Sequence, residues 1–265
     1  MNNPTPQPQP AESPDTRART ASGTAELAMS VVIPAYNEAR RIGRTLAALR
    51  DYADRTNAQW EVIVVDDGSR DGTAEAAARC ATETLPVQVL RNPGNCGKGY
   101  SVRRGMLAAG APLVLMCDAD LSTPIEEVEK LQPWLAQGYG VVIGSRRLPD
   151  SVLDPPQPFL RRRLDAGFRF LRRRLLLPEL QDTQCGFKLF TREAVHAVFS
   201  RQRSNGFAFD CEVLGLAGRL GYRVKEVAVR WCNDPDSRVR PVRDACAMLL
   251  SLLVIRHRLR GRGAE

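Results

Sequence analysis

The sequence predicts an α/β domain built on a mostly parallel sheet flanked by helices. Apolar runs bounded by polar turns recur at Met29–Ile33, Trp60–Val65, Val87–Leu90, Leu113–Cys117 and Val141–Ile143. They are continuous rather than alternating, the pattern of strands covered on both faces. Between them lie helical periodicities, with Ile42, Leu46 and Leu49 sharing one face and Val128, Leu131 and Leu135 another. Strand–helix alternation of this kind specifies a parallel sheet between helical layers.

Taken in order, residues 1–27 are Pro, Gln, Ser, Thr and Ala with almost no large apolar side chain. They cannot bury enough surface to offset ordering entropy, so a disordered tail is expected. One domain is expected over residues 28–240 and a basic amphipathic extension over 241–265. Strand one runs into Pro34-Ala35-Tyr36-Asn37-Glu38, and strand two into Asp66-Asp67-Gly68-Ser69-Arg70-Asp71-Gly72-Thr73. The segment Gly94-Asn95-Cys96-Gly97-Lys98-Gly99 lacks the spacing of a phosphate loop and reads as a Gly-rich turn opening a helix. Strand four runs into Asp118-Ala119-Asp120. The next helix carries a start signal, with Thr123 as N-cap, Pro124 in the first turn and Glu126 closing a capping box. Strand five runs into Gly144-Ser145-Arg146. Ligands bind beyond the carboxyl ends of such strands, so these polar segments gather at one edge as a site.

Composition narrows the function. The 265 residues carry a net charge of +8 with 43% apolar side chains, which fits a folded chain with an anionic partner. No run of eighteen apolar residues exists, so no membrane-spanning helix is expected. The seven cysteines lie far apart without a CxxC pair, against both a disulfide framework and a zinc site. Nucleic acid is not expected as the partner, because aromatic–basic interleaving is missing and the acidic strand ends would repel a phosphate backbone. No GxGxxG follows the first strand, against a dinucleotide fold.

The pair Asp118 and Asp120 is the chemical signal. Where a strand breaks into a turn, two carboxylates one residue apart can converge on a hard cation that also holds a diphosphate. The ordered set VVIPAYNE, VIVVDDGSRDGT, LMCDADLS and VIGSR resembles the family 2 glycosyltransferases of GT-A fold, a Rossmann-like sheet. Asp182-Thr183-Gln184-Cys185-Gly186-Phe187-Lys188-Leu189-Phe190, Gly206-Phe207-Ala208-Phe209-Asp210 and Trp231…Ser237-Arg238 resemble its dolichyl/polyprenyl-phosphate β-glucosyltransferase branch. The similarity spans roughly residues 29–255. It departs in two places: eukaryotic members usually carry an N-terminal membrane helix that this sequence does not show, and Arg238 stands where a Ser-Lys pair is common.

The resemblance implies a site. Pro34, Tyr36, Glu38, Val65 and Asp67 would line the nucleoside pocket, with Asp67 addressing the base. Asp118, Ala119 and Asp120 would contact ribose and metal, with Ser122 completing a site for Mg²⁺ or Mn²⁺. Arg146, Lys188 and Arg238 would face phosphate groups. Lys188 sits in a Gly-Phe-Lys-Leu-Phe strand pattern, where an unpartnered cation would be costly. Asp120 and Asp210 are the catalytic candidates, Asp210 as a general base if the acceptor is a hydroxyl. A lipid monophosphate would arrive already nucleophilic, because its second ionisation lies near pH 6.

The activity expected is inverting transfer of glucose from UDP-glucose to a polyprenyl monophosphate by a cytoplasmic protein peripheral on the cytosolic face of a membrane. GDP-mannose with the same acceptor, extension of a soluble saccharide, and a non-catalytic nucleotide-sugar binding module are the alternatives. An anionic membrane surface is expected to meet two segments. Phe159–Leu177 carries Arg161, Arg162, Arg163, Arg169, Arg172, Arg173 and Arg174 against Asp165 alone. Ala245–Ile255 is almost purely apolar and is followed by Arg256, His257, Arg258 and Arg260. Both could instead pack on the sheet or on a second copy of the chain, which leaves a homo-oligomer open.

Overall fold

The computed structural model describes residues 27–154, 167, 169–232 and 241–261, with the side chains of 241–249 excepted. The expected tail therefore lies outside the described residues, as do Arg161, Arg162, Arg163, Asp165 and Arg238. The elements are β1 (Met29–Ala35), α1 (Ile42–Thr56), β2 (Trp60–Asp66), α2 (Thr73–Ala78), β3 (Val87–Arg91), α3 (Lys98–Ala108), β4 (Leu113–Met116), α4 (Val128–Ala136) and β5 (Val141–Ser145). They continue through β6 (Val152–Asp154), a helix α5 over 169–175, β7 (Lys188–Thr191), α6 (Arg192–Phe199), α7 (Phe209–Arg219), β8 (Val224–Ala228), β9 (Arg230–Cys232) and α8 (Pro241–Gly261).

The main sheet has the order β3-β2-β1-β4-β7-β5-β8, and β6 pairs with β9 in a small second sheet. All main-sheet pairings are parallel except those of β7, which runs antiparallel to both β4 and β5. The expectation of a mostly parallel sheet holds. Alternate strand residues feed two cores: Val31, Ile33, Val62 and Val64 meet the α1 and α4 side with Leu46, Leu49 and Leu131. Val32, Ile63 and Val65 meet the other side with Val102 and Met106 of α3, Val198 of α6 and Leu214 of α7. Continuous apolar runs were needed because both faces are covered.

One local expectation is corrected. No capping box forms at Thr123: a 3-10 turn over Ile125–Glu127 precedes α4, and no side chain caps either element. The Thr123 hydroxyl is buried against Cys185 Sγ, and Glu126 reaches Arg55 instead. Thr191 does cap its helix, accepting the Ala194 N–H.

The arginine-rich stretch is also corrected at one position. Arg172 is not a membrane-facing charge but is fully buried. Its guanidinium donates to the carbonyls of Leu177 (3.0 Å), Leu180 (2.8 Å) and Gln181 (3.1 Å). It thereby pins the turn after α5, and burial without those acceptors would be costly. The C-terminal helix is half core and half surface. Leu252 and Ile255 are buried with Ala208 and Cys211, while Leu250, Leu253 and Val254 remain exposed. Among the described residues no helix is long and apolar enough to cross a membrane.

Removing a buried guanidinium strands three carbonyls. Arg172→Gln should lower stability by about 2–4 kcal/mol, whereas Arg173→Gln on the exposed face should stay within about 0.5 kcal/mol. Urea titration of both variants measures this, and equal midpoints would refute the anchoring role.

Candidate active site

The loops after β1 and β2 are stitched together by polar contacts. Asn37, in the left-handed region, donates its N–H to Ser69 Oγ (2.8 Å) and accepts the Arg70 N–H at its side-chain oxygen (2.9 Å). The Glu38 N–H reaches Thr73 Oγ1 (2.8 Å), and the Glu38 carboxylate takes both arms of Arg41 (2.7 and 2.9 Å). Tyr36 stands exposed at the edge, and Pro34 is half-buried opposite Val65. The Val65 side chain is fully enclosed in the core, so only its backbone borders this edge.

Asp67 is buried and points at the next loop. Its carboxylate accepts from Asn92 Nδ2 (2.7 Å) and from the N–H groups of Cys96 (2.9 Å) and Gly97 (2.9 Å). In this structure Asp67 organises the Gly-rich turn rather than facing outward to a base. Gly97 has φ +100° and its missing Cβ would strike the Asn205 carbonyl, so only glycine closes this turn against residues 204–206. The turn opens α3 as expected, and its consequence is that Lys98 enters the site.

Lys98 is a cation of this edge that the sequence reading did not single out. Its ammonium bonds Asp118 Oδ1 at 2.6 Å. Burial works against its charge, but Asp118, Asp210 and Asp120 outweigh that penalty and raise its pKa. The other oxygen of Asp118 faces Gly186, where any side chain would collide with the carboxylate. Thr45 Oγ1 donates to the Ala119 carbonyl (2.6 Å) from α1, and the Ser122 N–H bonds Asp120 Oδ1 (3.0 Å). Ala119 itself is buried. Burial and the neighbouring charge of Asp118 raise the pKa of Asp120 above the ordinary value.

The antiparallel β7 supplies the second half. Lys188, fully buried at its start, bonds the Cys185 carbonyl and lies 2.7 Å from Asp210 Oδ1. That enclosed oxygen has the ammonium as a charge partner but no hydrogen bond of good angle. Burial raises the Asp210 pKa, with Lys188 and Lys98 opposing it. Arg146, after β5, grips Asp182 through Nε (2.7 Å), Nη2 (3.0 Å) and its own N–H (3.1 Å), and lies over the Trp231 ring. That guanidinium holds the Asp182 carboxyl far below the usual range despite burial.

The structure thus brings Asp118, Asp120, Lys188, Asp210 and Arg146 to one edge, joined by Lys98 and Asp182. Four carboxylates face three cations, each cation committed to one carboxylate: Lys98 to Asp118, Lys188 to Asp210 and Arg146 to Asp182. Among the described residues Asp120 forms no ion pair of its own, though the Lys98 charge acts on it. Among the described residues no cluster of three or more His, Cys, Asp or Glu is set to hold a metal ion. Asp118 and Asp120 offer two hard oxygen donors whose mutual repulsion a divalent cation would relieve, so they fit such an ion completed by ligand oxygens.

This edge, on this sheet, can be compared with known proteins. Residues 30–199 match the family model described as glycosyl transferase family 2. The chain belongs to that family. It is a glycosyltransferase, and its relatives place it beside one branch. It is 35% identical over 244 residues to dolichyl-phosphate beta-glucosyltransferase of Homo sapiens, covering 87% of this chain and 75% of that one. It is 37% identical to the Drosophila melanogaster protein of the same name, over 81% of this chain and 70% of that one. Glycosyltransferase AglD of Haloferax volcanii is 35% identical over 89% of this transferase, which spans 38% of AglD. The fold matches mannosyl-3-phosphoglycerate synthase from Rubrobacter xylanophilus with a TM-score of 0.67 at 21% identity, over 90% of this chain and 76% of that one. It also matches Mycobacterium tuberculosis glucosyl-3-phosphoglycerate synthase in complex with Mn²⁺, UDP-glucose and phosphoglyceric acid, with a TM-score of 0.65 at 20% identity over 90% and 81% of the two chains. These two show the GT-A fold.

Asp120 stores a penalty of burial and of like charge in the transferase. A carboxyl whose pKa is raised by folding costs stability as it ionises, so the cost appears as pH rises from the ordinary value of 3.8 through the raised one. In metal-free buffer Asp120→Asn should be more stable than the parent at neutral pH, with the difference vanishing below about pH 4. Thermal melts across pH measure this; a difference that grew toward acid would contradict the arrangement.

Proposed function

We propose that the transferase moves glucose from UDP-glucose to the phosphate of a polyprenyl, dolichyl-type monophosphate, with inversion, as a peripheral protein on the cytosolic face of a membrane. The observation that carries this reading is the set of carboxylate-held cations at the strand ends, Lys98 on Asp118, Lys188 on Asp210 and Arg146 on Asp182. The names of the relatives above support glucose and a dolichyl phosphate. The structural neighbour solved in complex with Mn²⁺ and UDP-glucose supports the donor and a divalent ion.

The reaction breaks the bond from C1 of glucose to the diphosphate and forms one from C1 to an acceptor phosphate oxygen. That oxygen needs no proton removed near neutral pH, since a phosphomonoester is largely dianionic there. Asp210 is then a counter-ion that holds Lys188 in place, and no general base is required. Asp118 and Asp120 would hold Mg²⁺ or Mn²⁺, with Ser122 beside them; such an ion neutralises a departing diphosphate. Lys98 stands at Asp118 to stabilise the same developing charge. Lys188, Arg146 and Arg238 are assigned to the phosphates of donor and acceptor. Tyr36, Pro34 and the backbone at Val65 border the nucleoside, and Asp67 holds the turn beside them.

The test is to incubate the protein with each common nucleotide sugar, Mg²⁺ or Mn²⁺ and a polyprenyl phosphate, and to identify the glycolipid by mass. UDP-glucose should give a hexosyl lipid phosphate; product from GDP-mannose alone would overturn the donor assignment. Asp120→Asn and excess EDTA should each abolish turnover, and full activity in EDTA would remove the metal from the mechanism.

A further inference from the structure

Lys98 opens the first turn of α3, where the helix dipole disfavours a cation. Its place on Asp118 is imposed from outside that helix. The cap residue Gly97 has no side chain to offer the first N–H groups. Those of Gly99 (2.7 Å) and Tyr100 (3.3 Å) donate instead to the carbonyl of Asn205, far away in sequence. The buried Gln202 side chain adds a second tie, donating from Nε2 to the carbonyls of Gly99 (2.9 Å) and Ser204 (2.8 Å). A side chain at Gly97 or Gly99 would strike the carbonyl of Asn205 or of Ser204. The loop 202–205 is therefore the cap of α3, and a shift of the loop would carry Lys98 with it.

The loop itself forms no helix or strand. It is held by Glu212, a buried residue of the first turn of α7. Its Oε2 accepts the N–H groups of Arg203 (3.0 Å) and Ser204 (2.6 Å), and bonds to an ionised acceptor are the strong ones. Its Oε1 faces Nη1 of Arg258 on α8 at 3.7 Å. The helix α8 can approach this closely because α7 has Gly215 where a side chain would collide with Leu259, the residue after Arg258. Asp210 lies on the same turn of α7, two residues before Glu212, and residues so spaced face different ways. One carboxylate is thus spent inside the site on Lys188, the other on the loop.

We propose that Glu212 is a positioning residue of the transferase. By holding the loop 202–205 it sets Lys98 on Asp118, and Arg258 joins the seating of α8 to the same chain of contacts. The inference rests on the role given above to Lys98 at the departing diphosphate.

The chain has four lysines, Lys98, Lys130, Lys188 and Lys225, so ε-¹³C-lysine labelling gives few enough NMR signals to follow each one. The Lys98 signal is identified by its loss in Lys98→Met. In Glu212→Ala it should move toward that of a solvated lysine, while the signal of Lys188, paired on the same helix, stays. Arg258→Met should move it the same way by less, and decides the matter if Glu212→Ala does not fold. A Lys98 signal that stays in place would overturn the proposal. So would equal movement of Lys98 and Lys188, the mark of a general loosening of α7. In transfer from UDP-glucose to a polyprenyl phosphate, Glu212→Ala should lower kcat about tenfold, part of what a whole lost donor costs, with little change in the donor KM. Added to Lys98→Met it should cost nothing further, and losses that multiply would refute action through Lys98. If Lys98 moves as expected while no glucosyl transfer to polyprenyl phosphate is found, the positioning stands and the transfer reading fails.

Discussion

Everything at the active edge follows from the need to compensate carboxylates taken out of water. Asp118, Asp182 and Asp210 are each held by one cation from a different part of the chain. An enclosed carboxylate with no partner would take up a proton, and the site would lose its field. Lys98 reaches Asp118 only because Asp67 clamps the turn before α3 and glycines let that turn lie against residues 204–206. Those residues are held in turn by Glu212, which accepts the N–H groups of Arg203 and Ser204 and faces Arg258 of α8 at 3.7 Å. Lys188 reaches Asp210 only because β7 inserts between β4 and β5. The loops are thus consequences of charge balance as much as of sheet topology.

The parts of the fold visible in the sequence were those with strong local periodicity. Four strands, β1, β2, β4 and β5, announce themselves as largely apolar runs covered on both faces, and the polar turns after them mark the sheet edge. The direction of β7 left no such mark, since four residues read alike either way and orientation depends on partners distant in sequence. The same limit hid Lys98. A Gly-Lys-Gly turn opening a helix is locally complete, and nothing near it names Asp118, twenty residues on, as its partner.

Charge runs were the least legible feature. In the stretch around α5 every arginine looked equally suited to solvent or membrane, yet Arg172 is enclosed while Arg173 and Arg174 are exposed. What separates them is a set of free carbonyls in a turn that periodicity does not describe. The Thr123 start signal failed for a related reason. Its hydroxyl is buried against Cys185, a residue distant in sequence, and tertiary packing overrode a local preference.

The antiparallel insertion of β7 divides the site in the order of the chain. The groups proposed for the nucleoside and the metal, from Pro34 to Ser122, hang from β1, β2 and β4, with the turn before α3. Arg146, Asp182 and Lys188 arrive with the excursion from β5 to β7, and α5 lies within that same excursion. On the proposed reading, what receives the sugar is set by one contiguous stretch between β5 and β7, and what gives it by the strands before that stretch.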